Sequence, residues 1–146
     1  MLSDTRRGQL SDAAAKDSWL KSDCAEDAFG AGTSAAYLAY VQSIPESHVA
    51  VVGMGRRDAA FDSGLPTPAL HYRPGAKKPT AVPAGWEVTK LMDQHGYLKI
   101  SSEDDVQVGD MLGFNISHPC LTFDKWRVLA MVDEKYDVVD VVKTYF

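Results

Sequence analysis

Apolar residues are thinly scattered over the first 36 positions and gather into short, strand-sized runs from Tyr37 onward. The opening stretch (SDAAAKDSWLKSDCAEDAFGAGTSAA) is polar and alanine-rich. It predicts one short helix capped by Ser11 or Asp12, with a thin apolar face running toward Leu20. Gly30, Gly32, Thr33 and Ser34 then break the pattern. Beyond them YLAYVQSI (Tyr37 to Ile44) is rich in β-branched and aromatic residues and stops at Pro45; HVAVVGMG (His48 to Gly55) follows and ends in its glycines. The two predict adjacent strands. Arg56 to Pro68 holds too much Asp, Gly and Pro for regular structure, and ALHYRPG (Ala69 to Gly75) reads as a short strand before another turn.

After a long irregular connection, Trp86 to Asp93 and Gly96 to Ile100 predict two further strands joined at Gln94 and His95, and Glu103, Asp104 and Asp105 predict a solvated turn. Val106 to Pro119 alternates imperfectly around two glycines. The tail WRVLAMVDEKYDVVDVVKTYF predicts a hairpin turning at Asp133 to Lys135, with Val138, Val139, Val141 and Val142 expected in the core. Short strands at spacings of roughly ten residues, separated by turn signals, predict a mainly β fold, an antiparallel barrel or sandwich. The expected organisation is an N-terminal segment over 1–36, partly helical or flexible, and a β domain over 37–146.

Composition narrows the function classes. A chain of 146 residues has the size of one domain, and 45% hydrophobic with 24% charged residues is close to the globular average. The longest apolar runs, Tyr37 to Val41 and His48 to Val52, fall far short of the ~18 to 20 residues of a membrane-spanning helix, so no membrane partner is expected. Arg6 and Arg7 are followed by no apolar stretch, which argues against a secretory signal and for the cytoplasm. With a net charge of −5 the chain lacks the cationic surplus that binds phosphate backbones, so nucleic acid is not an expected partner. Cys24 and Cys120 are expected as reduced thiols, and the acidic neighbours of Cys24 disfavour its thiolate.

His118 and Cys120 are the sharpest chemical feature. On an extended segment residues i and i+2 project to one side, so an imidazole nitrogen and a thiolate could meet one metal ion, and both suit zinc. Two protein ligands would leave an open site, the catalytic rather than the structural arrangement. The plain alternative makes Cys120 a small buried hydrophobe and His118 a hydrogen-bonded residue near a turn. His95 could be a further ligand, a proton carrier or a substrate contact, or simply a turn histidine satisfied by water. His48 and His71 read as structural. Arg56, Arg57, Asp58 and Asp62 form a dense charged patch that could anchor a carboxylate through a bidentate arginine, or be a solvated loop with local ion pairs. Arg57, Asp58 and Tyr72 are the candidate substrate contacts. There is no hydrolase triad order, phosphate-cradling glycine loop or Gly-x-Ser-x-Gly elbow.

The run GDMLGFNISHPCLTFDKWRVLAMVDEKYDVVDVVKTYF (Gly109 to Phe146) resembles the C-terminal end of D-serine deaminase-like proteins, relatives of D-threonine aldolase and of the D-threo-3-hydroxyaspartate dehydratases. The resemblance extends back through DQHGYL, LPTPALHYRPG, MGRRDAAFDSGLP and AYVQSIPE, so it covers Tyr37 to Phe146. These are pyridoxal-phosphate enzymes of the alanine-racemase type, in which an α/β barrel holds the cofactor on a lysine and a C-terminal β domain supplies metal ligands beside it. The resemblance implies zinc or another divalent metal on His118 and Cys120, with Asp124 and Arg127 as supports of the same loop. It implies a small D-amino acid substrate, whose β-hydroxyl the metal would activate as a Lewis acid while the cofactor carries the carbanion chemistry. Nothing here resembles the barrel or its lysine, and Lys16 and Lys21 are not in a comparable setting. Pyridoxal phosphate is therefore expected only on a separate barrel. An exposed, once-covered surface predicts a homo-oligomer, most simply a dimer, or a barrel partner.

Overall fold

The computed structural model describes residues 36–133 and 135–145, nearly all of them in or between β-strands. The helix expected near Ser11 to Leu20 lies outside the described residues. The strands are β1 (Ala36–Glu46), β2 (Val49–Val52), β3 (Thr67–Tyr72), β4 (Thr80–Ala81), β5 (Glu87–Leu91), β6 (Gly96–Lys99) and β7 (Met111–Asn115). A single turn of helix, α1 (Pro119–Phe123), and the ribbon strands β8 (Val128–Val132) and β9 (Val138–Lys143) complete the described chain.

The first seven strands make one antiparallel sheet in the order β4-β3-β7-β1-β2-β6-β5. Its organiser is β1, whose first half, Ala36 to Tyr40, pairs with β7 and whose second half pairs with β2 through register shifts after Val41 and Ser43. Such irregularities bend a strand and increase its twist. The sheet curls accordingly into a half-barrel, bringing β3 beside β5 and the His71 ring to 6.0 Å from that of Trp86.

Alternation decides what lies inside the curl. Ala50 and Val52 of β2, Leu98 of β6, and Leu112 and Phe114 of β7 point inward and are fully buried, and Val41, Met54, Val88, Leu91 and Ile100 join them. Burying a side chain of this size contributes ~1.5 to 3 kcal/mol, so this face supplies most of the driving force. β7 departs from alternation because Gly113 is buried too, covered on the outer face by Leu70 of β3 and Leu38 of β1. Ala69 and Leu70, consecutive and both buried at a register shift in β3, form a second small cluster with Tyr136 packed against it.

Four expectations need correction. β1 does not stop at Pro45 but runs through it to Glu46, where the pairing with β2 shifts register between Ser43 and Glu46 and gives Pro45 no partner. β3 begins at Thr67 and runs through Pro68, which is tolerated because β4 pairs only with Leu70 and His71 and asks no amide of position 68. The acidic turn is not simply solvated: Asp104 accepts hydrogen bonds from Trp86 Nε1 at 2.6 Å and Ser101 N at 2.6 Å, and Asp105 pairs with Arg73 Nη1 at 2.8 Å. Finally, the hairpin is present, but its valines are not core. Val138 is 62% exposed and Val139 59%, because β8 and β9 form a separate two-stranded sheet. No helix of the described residues is long and apolar enough to cross a membrane.

Candidate metal centre

The loop between β2 and β3 and the chain from β7 into α1 lie against each other, and four hydrogen bonds join them in antiparallel order. Ser117 Oγ donates to Gly64 O at 2.8 Å, His118 Nδ1 meets Asp62 Oδ2 at 2.8 Å, Ala60 N donates to Thr122 Oγ1 at 2.9 Å, and Trp126 Nε1 donates to Asp58 O at 2.8 Å. As residue numbers rise in one segment they fall in the other. Thr122 is buried, and its hydroxyl also donates to His118 O at 3.1 Å, so one side chain ties the helix to its own cap and to the opposite loop.

His118 is the N-cap of α1, with φ −140° and ψ 93°, and makes no side-chain cap hydrogen bond. Its imidazole is thereby free to reach Asp62. Pro119 opens the helix, where its fixed φ suits the first helical position and its missing N–H is not needed. The expectation of an extended His-Pro-Cys segment is thus corrected: Cys120 sits in the first turn of a helix, and alternation on a strand does not place its thiol. Cys120 is exposed and is a free thiol among the described residues. The hydrogen bond from His118 holds the Asp62 carboxyl below the usual carboxylate range, against the opposing effect of partial desolvation.

With Nδ1 engaged by Asp62, His118 has Nε2 without a partner among the described residues, and Cys120 follows at the same helix start. One imidazole nitrogen and one thiol are both zinc ligands. No cluster of three or more His, Cys, Asp or Glu side chains suited to a metal occurs among the described residues. His118 and Cys120 thus supply two donor types that suit zinc, fewer than the three such groups of a metal cluster.

The other candidates are spread out. Asp124 is the C-cap of α1 and exposed, and Arg127 is exposed at the entry of β8, where its carbonyl accepts from Thr144 N. Arg57 is exposed and gives only its backbone N–H, to Asp93 O at 3.1 Å. Asp58 spends its carboxylate on Gly55 N at 2.8 Å. Arg56 lies over the Phe61 ring, so the charged patch divides among local partners. Tyr72 is half-buried at the end of β3, and His95 is exposed in the β5–β6 turn with no side-chain hydrogen bond among the described residues. Sequence reasoning gave Asp62 no link to His118, since 56 positions separate them and no local pattern joins them. It missed Tyr37 as well. This phenol lies tilted against Trp126, with ring centres 5.7 Å apart, and is pushed up to about 12 by burial and then by the Asp58 charge.

Residues 34–132 match the family described as "Putative serine dehydratase domain", and the chain belongs to that family. It is a D-serine dehydratase-like β domain. Among solved structures it is similar to D-threonine aldolase from Filomicrobium marinum, with a TM-score of 0.57 and 22% identity over 71% of this chain. The likeness is one of fold, and the chain spans 25% of the length of that protein. No curated protein matches the chain.

Proposed function

We propose that this chain is the metal-binding β domain of a D-amino-acid dehydratase or deaminase, working beside a pyridoxal-phosphate barrel on a separate chain or segment. The observation that carries the reading is the His118–Asp62 pair next to Cys120, in a chain of the serine dehydratase family. A divalent ion bound there, zinc by the chemistry of the donors, would supply Lewis acidity toward a substrate β-hydroxyl. The chain's own part is to hold that ion: His118 through Nε2, Cys120 through its thiolate, and the bonded loop pair as their frame. Asp124 and Arg127, on the residues that follow α1, are proposed as supports, and Arg57, Asp58, Tyr72 and His95 as weaker substrate or proton contacts. None of the described lysines is buried, so none of them fits a lysine held in a dry pocket for pyridoxal phosphate. A free Cys120 thiol suits a reducing compartment, the cytoplasm.

The test is metal content with D-serine turnover measured alongside. Purified chain is expected to take up about one zinc per protomer, to lose it on His118→Ala or Cys120→Ser, and to release no pyruvate from D-serine with pyridoxal phosphate present. A protein that stays metal-free in zinc-supplemented preparations overturns the reading.

One observation favours a second reading, a non-catalytic assembly module: the exposed valines of β8 and β9 offer an apolar surface to a second copy or to a barrel partner. Association that is indifferent to chelator, in a chain that binds no metal, would support it.

A further inference from the structure

We infer that Asp62 is a positioning residue that selects the His118 tautomer with its hydrogen on Nδ1 and its lone pair on Nε2, so that Nε2 is the atom presented to a divalent cation. The inference rests on the metal reading of His118 and Cys120 given above. It deepens that reading by naming which nitrogen binds and which residue makes it bind.

An ionised carboxylate has only acceptor atoms, so a 2.8 Å contact between Asp62 Oδ2 and His118 Nδ1 places the shared hydrogen on the imidazole. The neutral ring then has a single unprotonated nitrogen, Nε2. Both partners are partly exposed, His118 at 40% and Asp62 at 43% of their side chains, and a loose pair of this kind would contribute little by itself. This pair is not loose, because the bonds on either side of it hold both backbones. Ala60 N–H enters the buried Thr122 hydroxyl on one flank, and Ser117 reaches Gly64 O on the other. The two side chains therefore meet without the entropy loss that ordering two mobile loops would require. The absence of a cap bond from His118 belongs to the same arrangement, since an imidazole turned to the helix amides could not also face Asp62. Carboxylates in this outer position orient ligating histidines and raise their basicity, and losing one lowers metal affinity ~10- to 100-fold.

The experiment uses the full 146-residue chain and zinc chloride, with affinity read by competition against a chromophoric chelator. Asp62→Ala should weaken zinc binding ~10- to 100-fold, with the thermal midpoint little changed. Asp62→Asn keeps an acceptor oxygen in place and should lose less. Metal-free protein labelled with 15N at histidine gives a second readout that a merely structural role would not move. Wild type at slightly alkaline pH should show His118 protonated at Nδ1, and Asp62→Ala should shift the hydrogen toward Nε2. If His118→Ala abolishes zinc binding while Asp62→Ala leaves it within twofold, Asp62 does not position the ligand and only this inference falls. Wild-type His118 protonated at Nε2 overturns it equally. A wild-type chain that binds no zinc overturns the metal reading and this inference together.

Discussion

Asp110 shows how much a buried charge depends on its setting. It is 2% exposed at the entry of β7, and accepts from His71 Nε2 at 2.8 Å, Arg73 Nε at 3.1 Å and Nη2 at 3.0 Å, and Gln107 N at 2.9 Å. Burial alone would raise its carboxyl, but the bonds from Arg73 and His71 outweigh that and bring it down to about 2. A carboxyl depressed on folding stabilises the folded state above its unfolded value of about 3.9, and that contribution is lost as pH falls through the folded value. Denaturation midpoints measured between roughly pH 5 and pH 2 should therefore fall steeply in wild type and less steeply in Asp110→Asn. At neutral pH the same variant should be the weaker by about 2 kcal/mol, because the bonds from Arg73 and His71 lose their charged acceptor while Arg73 keeps its pair with Asp105; equal stability there would refute the account. At this scale the sequence spoke unevenly. His118 and Cys120 were visible as candidates from their types and spacing, whereas Asp62 was visible only as part of a charged patch and Thr122 not at all, since their roles come from partners 56 and 62 positions away.

At the scale of elements, close approach decides which residues the turns can hold. Gly55, just after β2, lies against the β5–β6 turn, where a Cβ would come within 2.4 Å of Asp93 O and 2.5 Å of Gln94 N. Backbone cannot swing aside as a side chain can. The turn is also pinned by Arg56 N to Met92 O at 2.8 Å and Arg57 N to Asp93 O at 3.1 Å. Gly55→Ala should cost ~2 kcal/mol or more. Gly53→Ala is the control: its new Cβ would meet only the far end of Gln42, at 2.7 Å from Nε2, which can rotate away. Chemical denaturation of the two variants should separate them by at least about 1 kcal/mol, and similar midpoints would remove the steric argument. Strand positions were largely legible, because β-branched and aromatic runs correspond to β1, β2, β5 and β6, although β1 does not end at Pro45 but continues to Glu46. The turn of helix at Pro119 was not, since five residues carry too little periodicity to announce it.

For the whole molecule, the outstanding feature is the ribbon of β8 and β9, which presents Val139 at 59% and Val141 at 51% exposure. It is tied to the rest through Trp126, whose indole bonds Asp58 O, and through Thr144, which bonds Trp126 O and Arg127 O. An exposed apolar ribbon favours association. Sedimentation should show a dimer or larger species at tens of micromolar chain, and Val139→Thr with Val141→Thr should shift it toward monomer while the thermal midpoint stays nearly constant. A wild-type monomer at that concentration would rule the ribbon out as a self-association surface. By itself the sequence determined the mainly β character, the positions of most strands and the His-Pro-Cys candidate, because each is written in local pattern: alternation, breakers and residue type. Tertiary structure alone decided that the C-terminal valines face outward, that His118 caps a helix, and that Asp62 stands beside it. Those outcomes depend on which segments the curl of the sheet brings together, and a hydrogen bond across 56 residues leaves no trace in the spacing of either partner.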